Sequence, residues 1–377
     1  MSDPILPPLG PPSELSWPPE PPGDGSARRG YPRWAKWLTG LVAVAIAVSI
    51  AGSVIRLPYD TLSPGGTLNL ESRVSVIGAK TYRANGDIML LFVQERAHIN
   101  LWDWLQAKLD SNIDLVKQVD VTDGNSQQEA DEQDVCDMSQ SQISAQVAAL
   151  TTLGYHVAAS PGLEVADLPA GLPAVKVLQP CDQIVAADGH EIKQPDDLSK
   201  IIRAHRVGTT VALTIVRAGH TLTAHVPVVA EQQTHIIGVD VVVRFKLPLQ
   251  IDLNTADVSG PSAGLAMALT IIDVLSSGDL TGGKRVAVTG TIDPDGQVGE
   301  IGGLPQKAIA ARAAHAQIFI VPACSDDPCR QDLATARKRV GKNVELKTVA
   351  TLAQALQVLR AAGGAPVPTP STTQAPS

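Results

Sequence analysis

The chain has 377 residues, of which 44% are hydrophobic, 18% charged and 3% aromatic, and its formal net charge is -8. A chain of this length has room for two or three domains with apolar cores. The acidic balance argues against a nucleic-acid-binding protein, which is typically basic. The H-E-x-x-H pattern of a zinc peptidase does not occur in the sequence, and we expect neither a metal nor another cofactor.

The first part of the chain predicts a membrane anchor. Residues 1–36 contain repeated Pro-Pro pairs and are expected to be a disordered cytoplasmic segment. Residues 37–55, WLTGLVAVAIAVSIAGSVI, carry no charge, and at about 1.5 Å per residue they nearly span a bilayer core of about 30 Å. We therefore predict one transmembrane helix.

The orientation of this helix follows from its flanking charges. Four basic residues precede it and only Arg56 closely follows it, which predicts a cytoplasmic N-terminus and a catalytic domain outside the cell membrane. A cleaved signal peptide is the alternative. The long apolar run and the lack of a clear A-x-A site favour an uncleaved signal anchor.

Residues 56–153 are predicted to form an N-terminal α/β segment that packs on a later domain. RVSVIG and DIMLLFVQ have the composition of strands, and INLWDWLQAKL has the periodicity of an amphipathic helix. Residues 123–134 are polar and acidic, so we expect a loop there, followed by a helix over 139–153.

Four cysteines outside the membrane would meet an oxidising environment. Cys324 and Cys329 are close enough to bridge across a turn, and Cys136 and Cys181 would then form the second pair. Four cysteines allow three connectivities, so the pairing is a preference. Neither pair has the spacing of a zinc site.

The motif GPSAG, residues 260–264, predicts a serine at the start of a helix. Gly260 suits the N-cap and Pro261 the first helical position, so Ser262 falls in the first turn of a helix predicted over 262–275. Backbone N–H groups at that end of a helix are the donors that an acyl-transfer reaction needs. A serine in this position more often bonds only the local backbone.

A lysine with unusual surroundings follows at position 307. Pro305 marks a second helix start, and Lys307 shares a helix face with Ala311 and Ala314. Desolvation on such a face lowers the pKa of a lysine, so that the neutral amine can take a proton from a serine. A lysine in a first helical turn is more often solvated. Taken together, Ser262 and Lys307 indicate a nucleophile and its base.

The motifs around these two residues are similar to those of a known family. SGPSAG followed by VTGTIDPDGQVGEIGGLPQK resembles the proteolytic domain of the Lon proteases, which use a Ser-Lys dyad. The resemblance implies that Ser262 is the nucleophile, that Lys307 is the general base and that Thr289 orients the lysine. Supporting roles fall to Gly260, Pro261 and Ala263.

Two positions depart from the family pattern. Ser259 stands where ATP-dependent Lon proteases commonly have an acidic residue, and Thr291 replaces the glutamate of TGEI. These departures make an acidic helper residue in the site doubtful. They do not affect the Ser-Lys dyad itself.

Two other enzyme classes have partial matches in the sequence. GDLTGGKR, residues 278–285, imitates a phosphate-binding loop, but Arg285 replaces the Ser or Thr and the order is helix, loop, strand. We expect a surface connection there and no ATP hydrolysis. GPSAG also fits the nucleophile elbow of α/β-hydrolases, for which His315 is the only histidine after Ser262. Because we expect His315 on a polar helix face, the Ser-Asp-His triad of the α/β-hydrolases is only the alternative interpretation.

Residues 154–230 resemble a PDZ domain of the bacterial protease type. The pattern runs from GLEVADLPAG through CDQIVAADG to a groove helix, PDDLSKIIRAH, and a closing hairpin. A PDZ domain binds an extended peptide end as an added strand. The resemblance implies a carboxylate loop at Ser160, Pro161, Gly162 and Leu163. Cys181 occupies a position usually held by glycine, and an ordinary small β-rich domain is the alternative.

The order of anchor, PDZ domain and dyad resembles the membrane-anchored, ATP-independent Lon-like serine endopeptidases of bacteria. The resemblance implies an α+β fold, a Lon-type proteolytic domain over 231–362 and protein or peptide substrates that are flexible or unfolded. It also implies a homo-oligomer, a hexamer. Residues 363–377 are expected to be a disordered tail. The competing class is an inactive PDZ scaffold, against which the retention of both Ser262 and Lys307 argues.

Overall fold

The computed structural model describes residues 33–118, 126–255 and 258–367. It divides into two compact units, Met1–Gly52 and Ser53–Ser377. The expected disorder of residues 1–32 and 368–377 lies outside the described residues. Residues 363–367, which were expected to belong to the disordered tail, are instead bound to the fold, where the Ala365 N–H donates to the Asp279 carbonyl at 2.8 Å.

The first helix, α1 (Arg33–Val54), is long and apolar enough to cross a membrane. Its most apolar window has a mean hydropathy of 2.0. It begins four residues before the predicted start at Trp37. Nearly all of its side chains are exposed, and a helix that is apolar all round needs a cover other than water.

The second unit is built on a six-stranded mixed sheet with the order β18-β17-β14-β3-β1-β4. The strands β1, β3 and β4 pair antiparallel, whereas β3, β14, β17 and β18 run parallel. The bounds are β1 (Tyr59–Asn69), β3 (Asp87–Arg96), β4 (Asp114–Lys117), β14 (Arg285–Val288), β17 (Ile318–Pro322) and β18 (Glu345–Val349). The segment 56–153 is therefore not a separate layer packed on the protease, because it supplies half of this sheet.

Helices cover both faces of this sheet, and the alternation of side chains along β3 shows how. Ile88 and Leu90 join a core with α3 (Gln127–Thr152), α5 (Gly264–Leu275) and α8 (Leu352–Ala361). Met89 and Leu91 point to the opposite face, where α6 (Leu304–Ala313) and α7 (Asp327–Val340) pack. The helices that follow GPSAG and GGLPQK thus lie on opposite faces of one sheet.

Several predicted elements are confirmed and one strand was missed. The predictions from RVSVIG, DIMLLFVQ and INLWDWLQAKL correspond to β2 (Val74–Ile77), to β3 and to α2 (Leu101–Leu109). β1 was not predicted because SPGG interrupts its apolar pattern. The β1–β3 register shifts between Pro64 and Thr67, and a Cβ at Gly65 would collide with Phe92.

Helix α3 starts much earlier than predicted, so the expected loop over residues 123–134 is wrong from Gln127 onward. Ser126 and Glu129 form a capping box: the Ser126 hydroxyl accepts from the Glu129 N–H, and the Glu129 carboxylate accepts from the Ser126 N–H at 2.8 Å. The acidic residues that suggested a loop lie mainly on the solvated side of this first half. Residues 123–125 lie outside the described residues.

The PDZ region forms a second sheet with the order β12-β5-β6-β8-β9. Its helix, α4 (Pro195–Ala204), buries Leu198 and Ile202. The bounds are β5 (Ala158–Asp167), β6 (Gln183–Ala187), β7 (His190–Glu191), β8 (Thr210–Arg217), β9 (His220–Pro227), β10 (Val229–Glu231), β11 (Thr234–Ile236) and β12 (Asp240–Lys246). Because β12 completes the sheet, the predicted boundary at residue 230 falls too early.

Short strands complete the second unit. β13 (Gln250–Leu253) pairs with β2, and β15 (Thr291–Ile292) pairs with β16 (Val298–Gly299). The chain leaves β13 directly before the loop that carries GPSAG.

A disulfide ties the PDZ sheet to α3. It joins Cys136 to Cys181, with the Cα atoms 5.6 Å apart, and a second disulfide joins Cys324 to Cys329, with the Cα atoms 5.4 Å apart. Cys181 has a φ of 62°, a left-handed conformation that glycine adopts with little strain. This accounts for the glycine usual at that position of the PDZ pattern.

We expect the two disulfides to contribute unequally to stability. In the chain-entropy description, a crosslink over 45 residues stabilises by about 4 kcal/mol and one over 5 residues by about 2 kcal/mol. Urea unfolding of Cys136→Ser/Cys181→Ser should therefore show the larger loss of unfolding free energy. Cys324→Ser/Cys329→Ser is the matched control, and a larger loss in the control would contradict the prediction.

Candidate active site

The turn that carries Ser262 is tighter than predicted. Pro261–Ala263 form a 3-10 turn, and the α-helix α5 begins only at Gly264. Gly260 has a φ of 83°, and the Gly264 N–H donates to the Pro261 carbonyl. The predicted α-helix over 262–275 is therefore two residues too long at its start, although Ser262 remains at the N-terminal end of the helical segment.

Lys307 lies in the first turn of α6, with Gly303 as N-cap. Its side chain is only 2% exposed, and its neighbours Ala308 and Ala311 are fully buried. Of the apolar face expected from the sequence, Ala311 is buried, whereas Ala314 follows the end of α6 and is half-buried. The burial of Lys307 keeps its amino group away from water.

The two side chains meet at the C-terminal end of β14. The Lys307 Nζ lies 2.9 Å from the Ser262 Oγ and 3.3 Å from the Thr289 Oγ1. The Thr289 hydroxyl donates to the Ser262 carbonyl at 3.2 Å, so it is free to accept from the lysine. Thr289 therefore holds both the lysine and the backbone of the serine turn.

Burial lowers the pKa of Lys307 from its ordinary value of 10.5 to about 7. Desolvation is the cause, because an apolar interior disfavours the ammonium form. A neutral amine within hydrogen-bond distance of a serine hydroxyl can accept its proton. The activation of the base needs no acidic helper, in keeping with Ser259 and Thr291 at the two positions that depart from the Lon pattern.

Backbone hydrogen bonds fix the serine turn to the end of β14. The Gly290 N–H donates to the Ser262 carbonyl at 2.9 Å, and the Leu265 N–H donates to the Gly290 carbonyl at 3.0 Å. These two hydrogen bonds hold the Thr289-Gly290 dipeptide beside the turn that carries Ser262.

Helix α3 supports the same turn from the other side. The buried Ser141 hydroxyl donates to the Pro261 carbonyl at 2.9 Å, and the Gly260 N–H donates to the Asp134 carbonyl at 3.2 Å. Ser141 and Asp134 were not predicted as site residues. Neither lies in a motif, and both come to the site through tertiary packing alone.

The residues considered for other enzyme classes lie elsewhere. His315 follows the C-terminal end of α6 and is exposed, instead of lying on the helix face. In the segment 278–285, the Asp279 carboxylate accepts from the N–H groups of Gly282 and Gly283 at 3.1 and 2.9 Å. A bound phosphate would need these N–H groups as donors, and here Asp279 already uses them. Thr281 is fully buried, so the expected surface connection is only partly exposed.

The predicted carboxylate loop of the PDZ domain is already occupied by the chain itself. Ser160, Pro161, Gly162 and Leu163 lie within β5, which pairs with β12. The Gly162 N–H donates to the Ile192 carbonyl at 2.9 Å, and Leu163 pairs with strands on both sides. Since proline has no N–H and the Gly162 N–H is already used, the loop expected here is a paired strand segment.

The edge of the PDZ sheet lies instead at β12, which ends the strand order. Helix α4 packs against β11 and β12. The link between these strands includes Gly238, with a φ of 79°, and a Cβ there would collide with Leu172. A glycine-containing turn, an edge strand and an adjacent helix are the parts that bind a peptide end by strand addition.

Comparison with known proteins finds a match to each of the two domain types. Residues 206–361 match the Lon protease (S16) C-terminal proteolytic domain, and residues 141–228 match a PDZ domain. The chain is similar to the Lon protease of Trichlorobacter lovleyi, with 36% identity over 132 residues, 35% of this chain and 15% of that protein. The Lon protease of Neorickettsia sennetsu is 32% identical over 108 residues, 29% of this chain and 12% of that protein.

The chain therefore spans only about an eighth to a seventh of the length of these curated relatives. Among solved structures it is similar to the PDZ domain of the SdrC-like protein of Listeria monocytogenes. That match has 26% identity and a TM-score of 0.21, and it covers 22% of this chain and 87% of that one. The chain thus contains one region similar to a PDZ domain and one region similar to the Lon-type (S16) proteolytic domain.

Proposed function

We propose that this protein is a serine endopeptidase that uses Ser262 as nucleophile and Lys307 as general base. The observation that carries the proposal is the buried Lys307 Nζ at 2.9 Å from the Ser262 Oγ. The neutral amine takes the hydroxyl proton while the Oγ attacks a peptide carbonyl carbon. The resulting ammonium group then gives the proton to the leaving amine, and water hydrolyses the acyl-enzyme with the lysine again as base.

The position of Ser262 suits the charge that develops in this reaction. Attack on the peptide carbonyl places a negative charge on its oxygen, and N–H groups at the start of a helix stabilise such an anion. The Ser262 carbonyl is held by Thr289 and Gly290, so the turn is preorganised before the substrate arrives.

We propose that proteolysis is independent of ATP. The one sequence that imitates a phosphate-binding loop directs its N–H groups to Asp279. A protease that works without ATP-driven unfolding acts on segments that are already flexible or unfolded. We assign this substrate class to the protein.

We further propose that α1 anchors the protein in the cell membrane, with the N-terminus in the cytoplasm and the catalytic domain outside. The length and hydropathy of α1 and the basic residues before it support this topology. The two disulfides support it as well, since such bonds persist in oxidising compartments.

The PDZ domain is proposed to capture substrate ends between β12 and α4. A bound peptide would extend the sheet at β12, and its carboxylate would lie at the turn that includes Gly238. This site replaces the one expected at residues 160–163.

An inactive PDZ scaffold is the competing proposal, and the burial of Lys307 argues against it. An uncompensated lysine in an apolar interior destabilises a fold. A protein without catalysis would be more stable with an apolar residue at that position.

Substitution of the dyad tests the proposed reaction. Lys307→Ala should abolish peptide hydrolysis as fully as Ser262→Ala, because residues that act as one unit lose their effect together. His315→Ala is the control and should retain nearly all activity. The measurement is turnover of an unstructured peptide, together with labelling of Ser262 by a serine-reactive probe. Activity in Lys307→Ala with loss of activity in His315→Ala would restore the hydrolase triad.

The pKa of Lys307 predicts two pH dependences. Hydrolysis of a short peptide should rise with pH through about 7, as the buried amine loses its proton. The free energy of unfolding of the native chain should also rise between about pH 7 and 10.5, because the unfolded lysine then holds a proton that the folded one has lost.

Lys307→Met is the matched variant for the stability measurement. It should be more stable than the native chain, with the largest difference below about pH 7 and a decrease of up to about 1.4 kcal/mol per pH unit towards pH 10.5. Urea unfolding at several pH values measures this difference. A difference that does not change with pH would mean that Lys307 is solvated.

Amidation of a substrate tests peptide capture by the PDZ domain. A long unstructured substrate should show a KM about tenfold lower with a free C-terminus than with an amidated one, because charge-assisted hydrogen bonds to the carboxylate are lost on amidation. A short substrate that cannot reach both sites is the control and should show no difference. Equal KM values for both long substrates would contradict carboxylate capture.

A further inference from the structure

Helix α2 presents an apolar face to the solvent. Four of its residues are exposed although they are large and apolar: Leu101 at 37%, Trp102 at 40%, Leu105 at 42% and Leu109 at 81%. At 100° per residue these positions fall within one arc of about 100° on the helix surface. A continuous exposed stripe of this kind marks a surface that binds a partner or a membrane.

The remainder of α2 fixes the helix on the protein. Ala107 is buried, and Asn100 caps the helix by accepting from the N–H groups of Trp102 and Asp103 at 2.8 and 3.0 Å. Asp103 in turn accepts from the Asn100 N–H at 3.1 Å and from Arg96 at 2.9 Å. The helix is therefore held by its polar start and by its buried side.

The start of α2 lies close in space to the end of α1, although the two are far apart in the sequence. Arg56 forms a β-bridge with Asn100, and the Leu57 N–H donates to the Ile99 carbonyl at 2.8 Å. Val54 is the last residue of α1, only two positions before Arg56. Since each residue spans at most about 3.5 Å, covalent connectivity keeps the first turn of α2 within roughly 15 Å of the end of α1.

We propose that α2 lies in the surface of the membrane that α1 crosses, with Leu101, Trp102, Leu105 and Leu109 among the lipid headgroups and upper acyl chains. The proposal rests on the membrane anchorage proposed above. An amphipathic helix binds this region with its apolar face, and tryptophan is favoured there.

Charges beside the stripe fit the same position. Lys108 is exposed at one margin of the stripe, and Arg56 is exposed beside the helix start. Cationic side chains in this position can contact lipid phosphates. The catalytic unit would thus be held on the bilayer at two points, the end of α1 and the whole length of α2, instead of moving on a single tether.

Quenching of tryptophan fluorescence by brominated lipids tests this contact in the full chain. A variant with Trp17, Trp34 and Trp37 replaced by phenylalanine keeps only Trp102 and Trp104. The difference between this variant and the same chain with Trp102→Phe isolates the signal of Trp102. In phosphatidylcholine vesicles, lipids brominated near the headgroup should reduce the Trp102 signal at least twofold, and more than lipids brominated at the chain ends.

A second pair of variants reports on the stripe itself. Leu105→Gln/Leu109→Gln should reduce the quenching of Trp102, because the apolar contact is lost. Ile77→Gln alters an exposed apolar residue of β2, outside α2, and should leave the quenching unchanged. Equal quenching of Trp102 in the Leu105→Gln/Leu109→Gln variant and in the Ile77→Gln variant would overturn the proposal.

The fluorescence of Trp37 separates this proposal from the membrane anchor. A chain that keeps Trp37 should be quenched relative to its Trp37→Phe variant. Quenching of Trp37 without quenching of Trp102 would leave the anchor intact and overturn the proposal for α2. A blue-shifted but unquenched Trp102 would also overturn it and would indicate a second copy of the chain on the stripe. Absence of quenching at both positions would refute the anchor as well.

Discussion

The burial of one lysine governs the construction of the candidate active site. Lys307 can act as a base near neutral pH only where water cannot stabilise its charge, and its pKa of about 7 comes from burial. That condition requires a closely packed helix start, the small neighbours Ala308 and Ala311, and a hydroxyl from Thr289 as a neutral partner. A carboxylate at the same distance would raise the pKa of the lysine and remove the base.

This requirement explains why the site lies where two layers meet. Ser262 precedes a helix on one face of the central sheet, and Lys307 begins a helix on the other face. Thr289 follows β14, the strand between them. The sheet itself joins strands from both ends of the second unit, with the PDZ domain inserted between them. The geometry of the dyad therefore depends on the correct pairing of β3 with β14.

The sequence predicted that Ser262 and Lys307 act together from two local patterns and from the resemblance of those patterns to the Lon motifs, and the two side chains are in contact. A glycine-proline turn before an apolar helix, and a lysine on an alanine face, can be recognised without knowledge of the fold. The tighter turn at Ser262 could not be foreseen, since it depends on hydrogen bonds from Gly290 and Ser141. The early start of α3 has a local signal in the capping pattern of Ser126 and Glu129, which competes with an acidic composition that is typical of a loop.

The PDZ peptide site shows a different limit. Sequence similarity placed a carboxylate loop at residues 160–163, but the pairing of β5 with β12 uses that edge of the sheet. Strand order is a long-range property, and β12 lies beyond the segment that resembled a PDZ domain. Local patterns can predict which residues form strands, but they do not show which strand stays at the edge.

The disulfide between Cys136 and Cys181 sets a length scale for the proposed protease. It fixes the PDZ sheet to α3, and α3 in turn bonds the turn of Ser262 through Asp134 and Ser141. The edge at β12 and the nucleophile are thus separated by a constant span. A protein end held at β12 would be cut at a set number of residues from its terminus, so the molecule would act as a ruler that selects substrates by the length of their unfolded tails.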